Sequence, residues 1–141
     1  MKKGLITMLG IVLAAGLLAH ADMAFGSEEK SALFEGVLVD ARCYALDTRN
    51  TGNDHESKAG KMVNCGTACA ATGIPVGLLE GGKAGGKVYI LLVPSKMLAE
   101  HVGKTAKVIG RIALGGSLLV DTLEVREKDG SYKKVEIVTM M

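Results

Sequence analysis

Tryptophan is absent from this chain, and only three tyrosines and two phenylalanines supply aromatic rings. Single-stranded nucleic acid is gripped by stacking bases on such rings, so this composition offers no clear platform. A surplus of positive charge is missing too, since the formal net charge is +2. Losing Lys2, Lys3 and Asp22 with a leader brings the remainder closer to neutral. Neutralising a phosphate backbone needs clustered Lys and Arg, so the sequence argues against a nucleic-acid partner. There is no Gly-x-Ser-x-Gly elbow and no His-Glu-x-x-His pair, which removes the commonest hydrolase and metalloprotease signatures. Cysteine is limited to three residues, Cys43, Cys65 and Cys69, too few for a multiply bridged scaffold.

The longest uncharged apolar run is Leu5 to Leu18, behind the basic pair Lys2-Lys3. That run is short for a membrane span and fits a secretory signal. Small-x-small sites follow at Ala19-His20-Ala21 and Ala24-Phe25-Gly26, the second of them leading into polar Ser27-Glu28-Glu29-Lys30. The expectation is a signal peptide over 1–26 and a single small domain over 27–141. That domain would be periplasmic or secreted, with no stable membrane anchor after cleavage.

With so few aromatics the core must be built from Val, Leu, Ile and Ala. The 19 glycines, spread through the chain, suit tight turns between short strands. Residues 32–40 alternate as a β-strand, with Gly36 marking a bulge or a close backbone approach. Residues 41–64 are polar and read as a long surface loop, of a kind that is often functional or tied down. Asn64 is placed to cap a short helix over 65–72, stopped by Gly73. Strands are expected over 76–80 and 87–93, joined by Gly81-Gly82-Lys83-Ala84-Gly85-Gly86. That turn matches the opening of a phosphate-binding loop. Val88 stands where Ser or Thr should follow Lys87, and a strand follows where a helix is needed, so it reads as a hairpin. Ser95 is placed to cap a second short helix over 96–102, with His101 near its end as a structural residue. Strands over 104–114, 117–127 and 132–138 complete the chain. The expected class is mainly β: a small barrel of five or six strands with two short helices, of the oligonucleotide/oligosaccharide-binding (OB) type. A two-layer α+β fold is the alternative.

The chemistry concentrates at Asp40-Ala-Arg-Cys43-Tyr44 and Cys65-Gly-Thr-Ala-Cys69, with His55 between them. In a helix, Cys65 and Cys69 stand at i and i+4 on one face. A regular helix does not readily bridge two sulfurs at that spacing, which leaves Cys43 to form a disulfide with Cys65 or Cys69. Alternatively, all three thiolates converge on one point and bind Cu or Zn, with His55 as a fourth ligand. Asp40 or Asp54 would then orient His55 from behind. A third reading is a periplasmic thiol redox protein, although Cys-x-x-x-Cys is not the Cys-x-x-Cys of thioredoxin-like enzymes. The reading adopted is a non-enzymatic metal-binding protein, with the disulfide-stapled interaction module as its competitor.

Taken together, Gly36-Val37-Leu38-Val39-Asp40, Cys43-Tyr44, Cys65-x-x-x-Cys69, Gly73-Ile74-Pro75-Val76-Gly77-Leu78-Leu79 and Gly86-Lys87-Val88-Tyr89 carry a resemblance. The chain resembles a group of small exported bacterial proteins of unassigned function, from about Phe34 to Val125. The resemblance implies an extracytoplasmic location and an OB-like barrel. It also implies a histidine a few residues before the cysteine pair. Here the only such residue is His55, ten positions before Cys65.

Overall fold

The strand β1 (Ala32–Asp40) is flanked on both sides, and the rest of the molecule is hung from it. This is seen in a computed structural model that describes residues 30–138; the signal peptide expected over 1–26 lies outside the described residues. After β1 come α1 (Ala41–Leu46), β2 (His55–Ser57), β3 (Gly60–Met62) and α2 (Cys65–Ala71). Next are β4 (Val76–Glu80), β5 (Val88–Ile90) and a 3-10 helix (Ser95–His101). Finally β6 (Thr105–Ile112), β7 (Leu118–Arg126) and β8 (Tyr132–Lys134) follow. The molecule is mainly β, with a six-stranded antiparallel sheet in the order β5-β4-β1-β6-β7-β8 and a separate β2-β3 hairpin.

The first half of β1 pairs with β6 and the second half with β4, and Gly36 belongs to both ladders, opposite Ala106 and Glu80. A Cβ at Gly36 would collide with the carbonyl oxygen of Leu79. Only glycine lets the two backbones cross that closely, so the close approach expected at this position is present. A second irregularity lies between Ile109 and Gly110, where β7 carries one more residue than β6.

Alternation along β1 separates two apolar layers. Leu38 enters the main core with Leu78, Leu98, Val108, Leu118 and Leu123, all fully buried. Each such side chain contributes roughly 1.5–3 kcal/mol on burial. Val39 faces the other way and meets Tyr44 and Leu79, with Val37 and Val88 against them. Tyr44 also donates its hydroxyl proton to the Gly86 carbonyl at 3.1 Å, which ties α1 to the turn after β4.

Past β5 the chain touches β7. Leu91 forms one parallel bridge with Leu118, and the Leu92 amide donates to the Leu118 carbonyl at 3.0 Å. Among the described residues the ladders do not close into a barrel, and β5 and β8 end the sheet.

Two expectations are corrected. The segment 41–64 is not structureless: it holds α1 and the β2-β3 hairpin, and it buries Asn50 and His55. Asp40 caps the helix, and Gly60, at φ 119°, turns the hairpin. The helix after Pro94 is of 3-10 type, and Ser95 is its first residue and makes no cap.

Candidate metal centre

Asp40 ends β1 and begins α1. Its Oδ1 accepts from the amides of Arg42 (2.9 Å) and Cys43 (3.2 Å), two donors that the first helical turn leaves unpaired. One carboxylate oxygen is thereby spent on the cap. The other, Oδ2, is buried and has no hydrogen-bond partner.

His55 opens β2 and is fully buried. Its Nε2 lies 3.0 Å from the Gly52 carbonyl oxygen. A carbonyl can only accept, so Nε2 carries the proton and Nδ1 keeps a free lone pair. Nδ1 is likewise buried without a partner. Buried polar atoms are nearly always paired, so two orphans at one place call for an occupant.

Asp40, Cys43, His55 and Cys65 place one donor atom each within 4.8 Å of one another. They come from the end of β1, the first turn of α1, the start of β2 and the start of α2. Tetrahedral zinc holds N, O and S ligands at about 2.0–2.3 Å, which sets the donors roughly 3.3–3.8 Å apart. A contraction of about 1 Å would bring this set to bonding distance.

Cys69 is offset from that group. It lies one helical turn beyond Cys65 on α2 and is half-buried. Burial, then the nearby Asp40 carboxylate, pushes the thiols of Cys43 and Cys69 up to about 12. Without a cation nearby, these groups keep their protons at neutral pH.

Two asparagines hold the donors in place. Asn50 is buried; it donates from Nδ2 to the Cys43 carbonyl (3.2 Å) and accepts the Glu56 amide on Oδ1 (3.1 Å). It thus joins α1 to the strand that carries His55. Asn53 does the same for α2. Its Oδ1 accepts the Thr67 amide (2.7 Å) and its carbonyl the Gly66 amide (3.0 Å). The expected cap at Asn64 is not made: Asn64 sits in the left-handed region at φ 55° and its side chain accepts from Asn53 instead. At the other end of α2 the stop at Gly73 is made. The Ile74 amide reaches the Cys69 carbonyl and the Gly73 amide reaches that of Ala70, which is a Schellman ending.

The sequence reading placed Asp40 behind the ligands. In the structure Asp40 is itself one of the four converging residues, and its Oδ2 is the oxygen left without a partner. Asp54, the other residue expected to orient His55, is turned elsewhere. It accepts the Asn64 amide (2.9 Å) and pairs with Lys61 (3.1 Å), contacts that hold its carboxyl below the usual range. The ring of His55 is oriented by Gly52. Cys43, Cys65 and Cys69 are all free thiols, so the disulfide expected from Cys43 to Cys65 or Cys69 is not formed. The sulfurs of Cys43 and Cys65 are near neighbours within a polar cluster rather than a bonded pair. Asn50 and Asn53 were missed because an asparagine in a polar segment carries no signal of a partner many residues away.

No protein-family model, curated protein or solved structure matches the chain.

Proposed function

We propose that this is an exported, non-enzymatic protein that captures one soft or borderline transition-metal ion, Zn(II) or Cu(I). The ion is held between Asp40, Cys43, His55 and Cys65. The observation that carries the reading is the pair of buried, unpartnered atoms, Asp40 Oδ2 and His55 Nδ1, inside a four-residue donor cluster with two thiols. A set of two sulfurs, one nitrogen and one oxygen suits tetrahedral Zn(II) best. Cu(I), a softer ion, would draw on the three thiols. The protein's part is to bring four donors from four elements together and to exclude water behind them with the buried Asp40 and His55.

Export is supported by Lys2-Lys3 and the apolar run Leu5 to Leu18. The scaffold is read as an OB-like barrel left partly open. Support comes from the strand order, the helix between β5 and β6, and the single parallel bridge from Leu91 to Leu118.

The test is the metal content and thiol count of protein purified from an exporting host without chelator, under reducing conditions. About one Zn or Cu per chain, with three thiols after denaturation, supports the reading, and Cys43→Ser should then abolish binding. Protein that stays metal-free when offered Zn(II) or Cu(I) while reduced overturns it. A mass two hydrogens light with one free thiol would point to the disulfide-stapled module.

A further inference from the structure

A cleft opens where the sheet fails to close. Beyond β5 the chain makes one parallel bridge to β7, Leu91 with Leu118. Three residues after Leu91 comes Pro94, which has no amide hydrogen to continue a ladder. Alternation sets the two sides of this junction. Leu91 and Leu118 are buried in the core, so Leu92 and Leu119 face outward and are exposed. The cleft there has a volume of about 690 Å³, with Ile90, Val93 and Val138 adding to its apolar wall. Small-molecule sites occupy roughly 300–1,000 Å³. The cleft shares no residue with the donor cluster.

Two charges of opposite sign also line it, Arg111 on β6 and Asp121 on β7. Leu119 is the register partner of Arg111, and Asp121 is the residue left over where β7 is one longer than β6. Bulges of this kind re-aim a side chain. Opposite charges on neighbouring strands commonly pair. Here they do not: among the described residues Arg111 makes no salt bridge. The Ser31 hydroxyl donates to Asp121 Oδ2, which holds the carboxylate in place and leaves its charge intact. An apolar wall thus carries one cation and one anion that are not spent on each other.

We propose that this cleft is a second binding site, one that takes a short apolar peptide with free ends. The peptide's side chains lie on Leu92 and Leu119. Its carboxylate meets the guanidinium fork of Arg111, and its ammonium meets Asp121. A fatty acid or other plain anion fits less well, because Asp121 faces the same space. A plain amine meets the same objection from Arg111. A single apolar amino acid carries both charges but leaves most of the volume unfilled, so the ligand is a di- or tripeptide.

The test titrates trileucine, N-acetyl-trileucine, trileucine amide and decanoate into the full exported chain by calorimetry. Wild type, Arg111→Gln and Asp121→Asn are run in parallel, with circular dichroism to show that the variants fold. Trileucine should bind the wild type saturably, and each substitution should weaken it about tenfold. The blocked peptides assign the ends. Arg111→Gln should leave binding of the amide unchanged, and Asp121→Asn that of the acetyl form, because in each case the matching charge is already gone. No saturable trileucine binding up to its solubility limit overturns the proposal. So do variants that bind as the wild type does, or decanoate binding tighter than trileucine. A dimer in sedimentation that is lost in Leu119→Asp would give the face to a second copy and overturn it too. Nuclear Overhauser contacts from Met140 or Met141 to Leu92 in the unliganded protein would give the cleft to the chain's own end, with the same consequence. The outcome does not depend on whether the donor cluster holds a metal.

Discussion

The ring of His55 and the carbonyl of Gly52 form one hydrogen bond, Nε2 to oxygen, at 3.0 Å. This bond decides which nitrogen keeps a free lone pair, Nδ1. It also identifies an informative substitution. In His55→Gln the side-chain amide can still donate to Gly52, but no lone pair remains at the Nδ1 position. Zn(II) affinity should fall by about tenfold or more, while the far-ultraviolet circular dichroism of the metal-free protein stays unchanged. Unaltered affinity in a folded variant would remove His55 from the ligand set.

Asp40 has two oxygens with two tasks, and substitutions can separate them. Asp40→Asn keeps an oxygen to accept from Arg42 and Cys43 but loses the second anionic oxygen. It should weaken metal binding while leaving α1 capped. Asp40→Ala loses the cap as well, at a cost of about 1 kcal/mol in the metal-free protein. Urea unfolding of the two metal-free variants, set beside their Zn(II) affinities, reads the two tasks independently. Equal affinities for Asp40→Asn and wild type would return Asp40 to a purely structural role.

Asn50 should matter to both stability and binding, although it donates nothing to the ion. Asn50→Ala removes bonds to the Cys43 carbonyl and the Glu56 amide and leaves buried groups unpaired. The expected loss is about 1–3 kcal/mol in unfolding free energy. Metal affinity should fall too, because the first turn of α1 and the start of β2 are no longer tied. A variant that loses stability yet binds Zn(II) as tightly as wild type would show that the donor atoms are placed without it.

The strands were legible because two-residue alternation and glycine turns are local signals. Val76–Glu80 lies where its apolar run and the Gly81-Gly82 turn put it, and β1 ends at Asp40 as expected. The site was half legible. Cys43, His55 and Cys65 stood out as residue types able to bind metal, and all three are in the cluster. Spacing on a helix said that Cys65 and Cys69 share a face, but it was silent on which of them sits nearer the hairpin. The choice between Asp40 and Asp54 turned on contacts that no local pattern encodes. Lys61 and the Asn64 amide draw Asp54 outward, whereas the helix cap holds Asp40 inside. The hairpin itself was hidden because its strands are three residues each and largely exposed, without an alternating apolar face.

His101 gives the acid limb of stability a definite sign. Burial, then Lys104, lowers its pKa below the ordinary value of 6.5 in the folded protein. Glu127 and Glu100 oppose the shift, Lys133 adds to it, and Nδ1 is buried without a partner. A histidine that is harder to protonate when folded contributes stability above the unfolded pKa. That contribution is lost as pH falls from about 6.5 toward the folded value. Thermal unfolding from pH 8 to pH 5 should show a decline that begins near pH 6.5 and is flattened in His101→Gln. An identical slope in that variant would assign the decline to other groups.

The thiols allow the redox alternative to be tested directly. Burial, followed by the nearby Asp40 carboxylate, raises Cys43 from 9.0 to about 12. At pH 8 its thiolate fraction drops from about one in ten to about one in ten thousand. A disulfide oxidoreductase needs the opposite, a thiol lowered toward neutral pH and open to attack. Because the folded pKa is the higher one, the stability this group contributes is complete below pH 9. It is then lost as pH rises from about 9 toward 12, since the unfolded chain releases the proton first. Iodoacetamide labelling followed by peptide mass spectrometry should find Cys43 modified at least about a hundredfold more slowly in the native metal-free protein than in urea. Rapid labelling of native Cys43 at neutral pH would overturn this picture of the site and bring back the thiol redox reading.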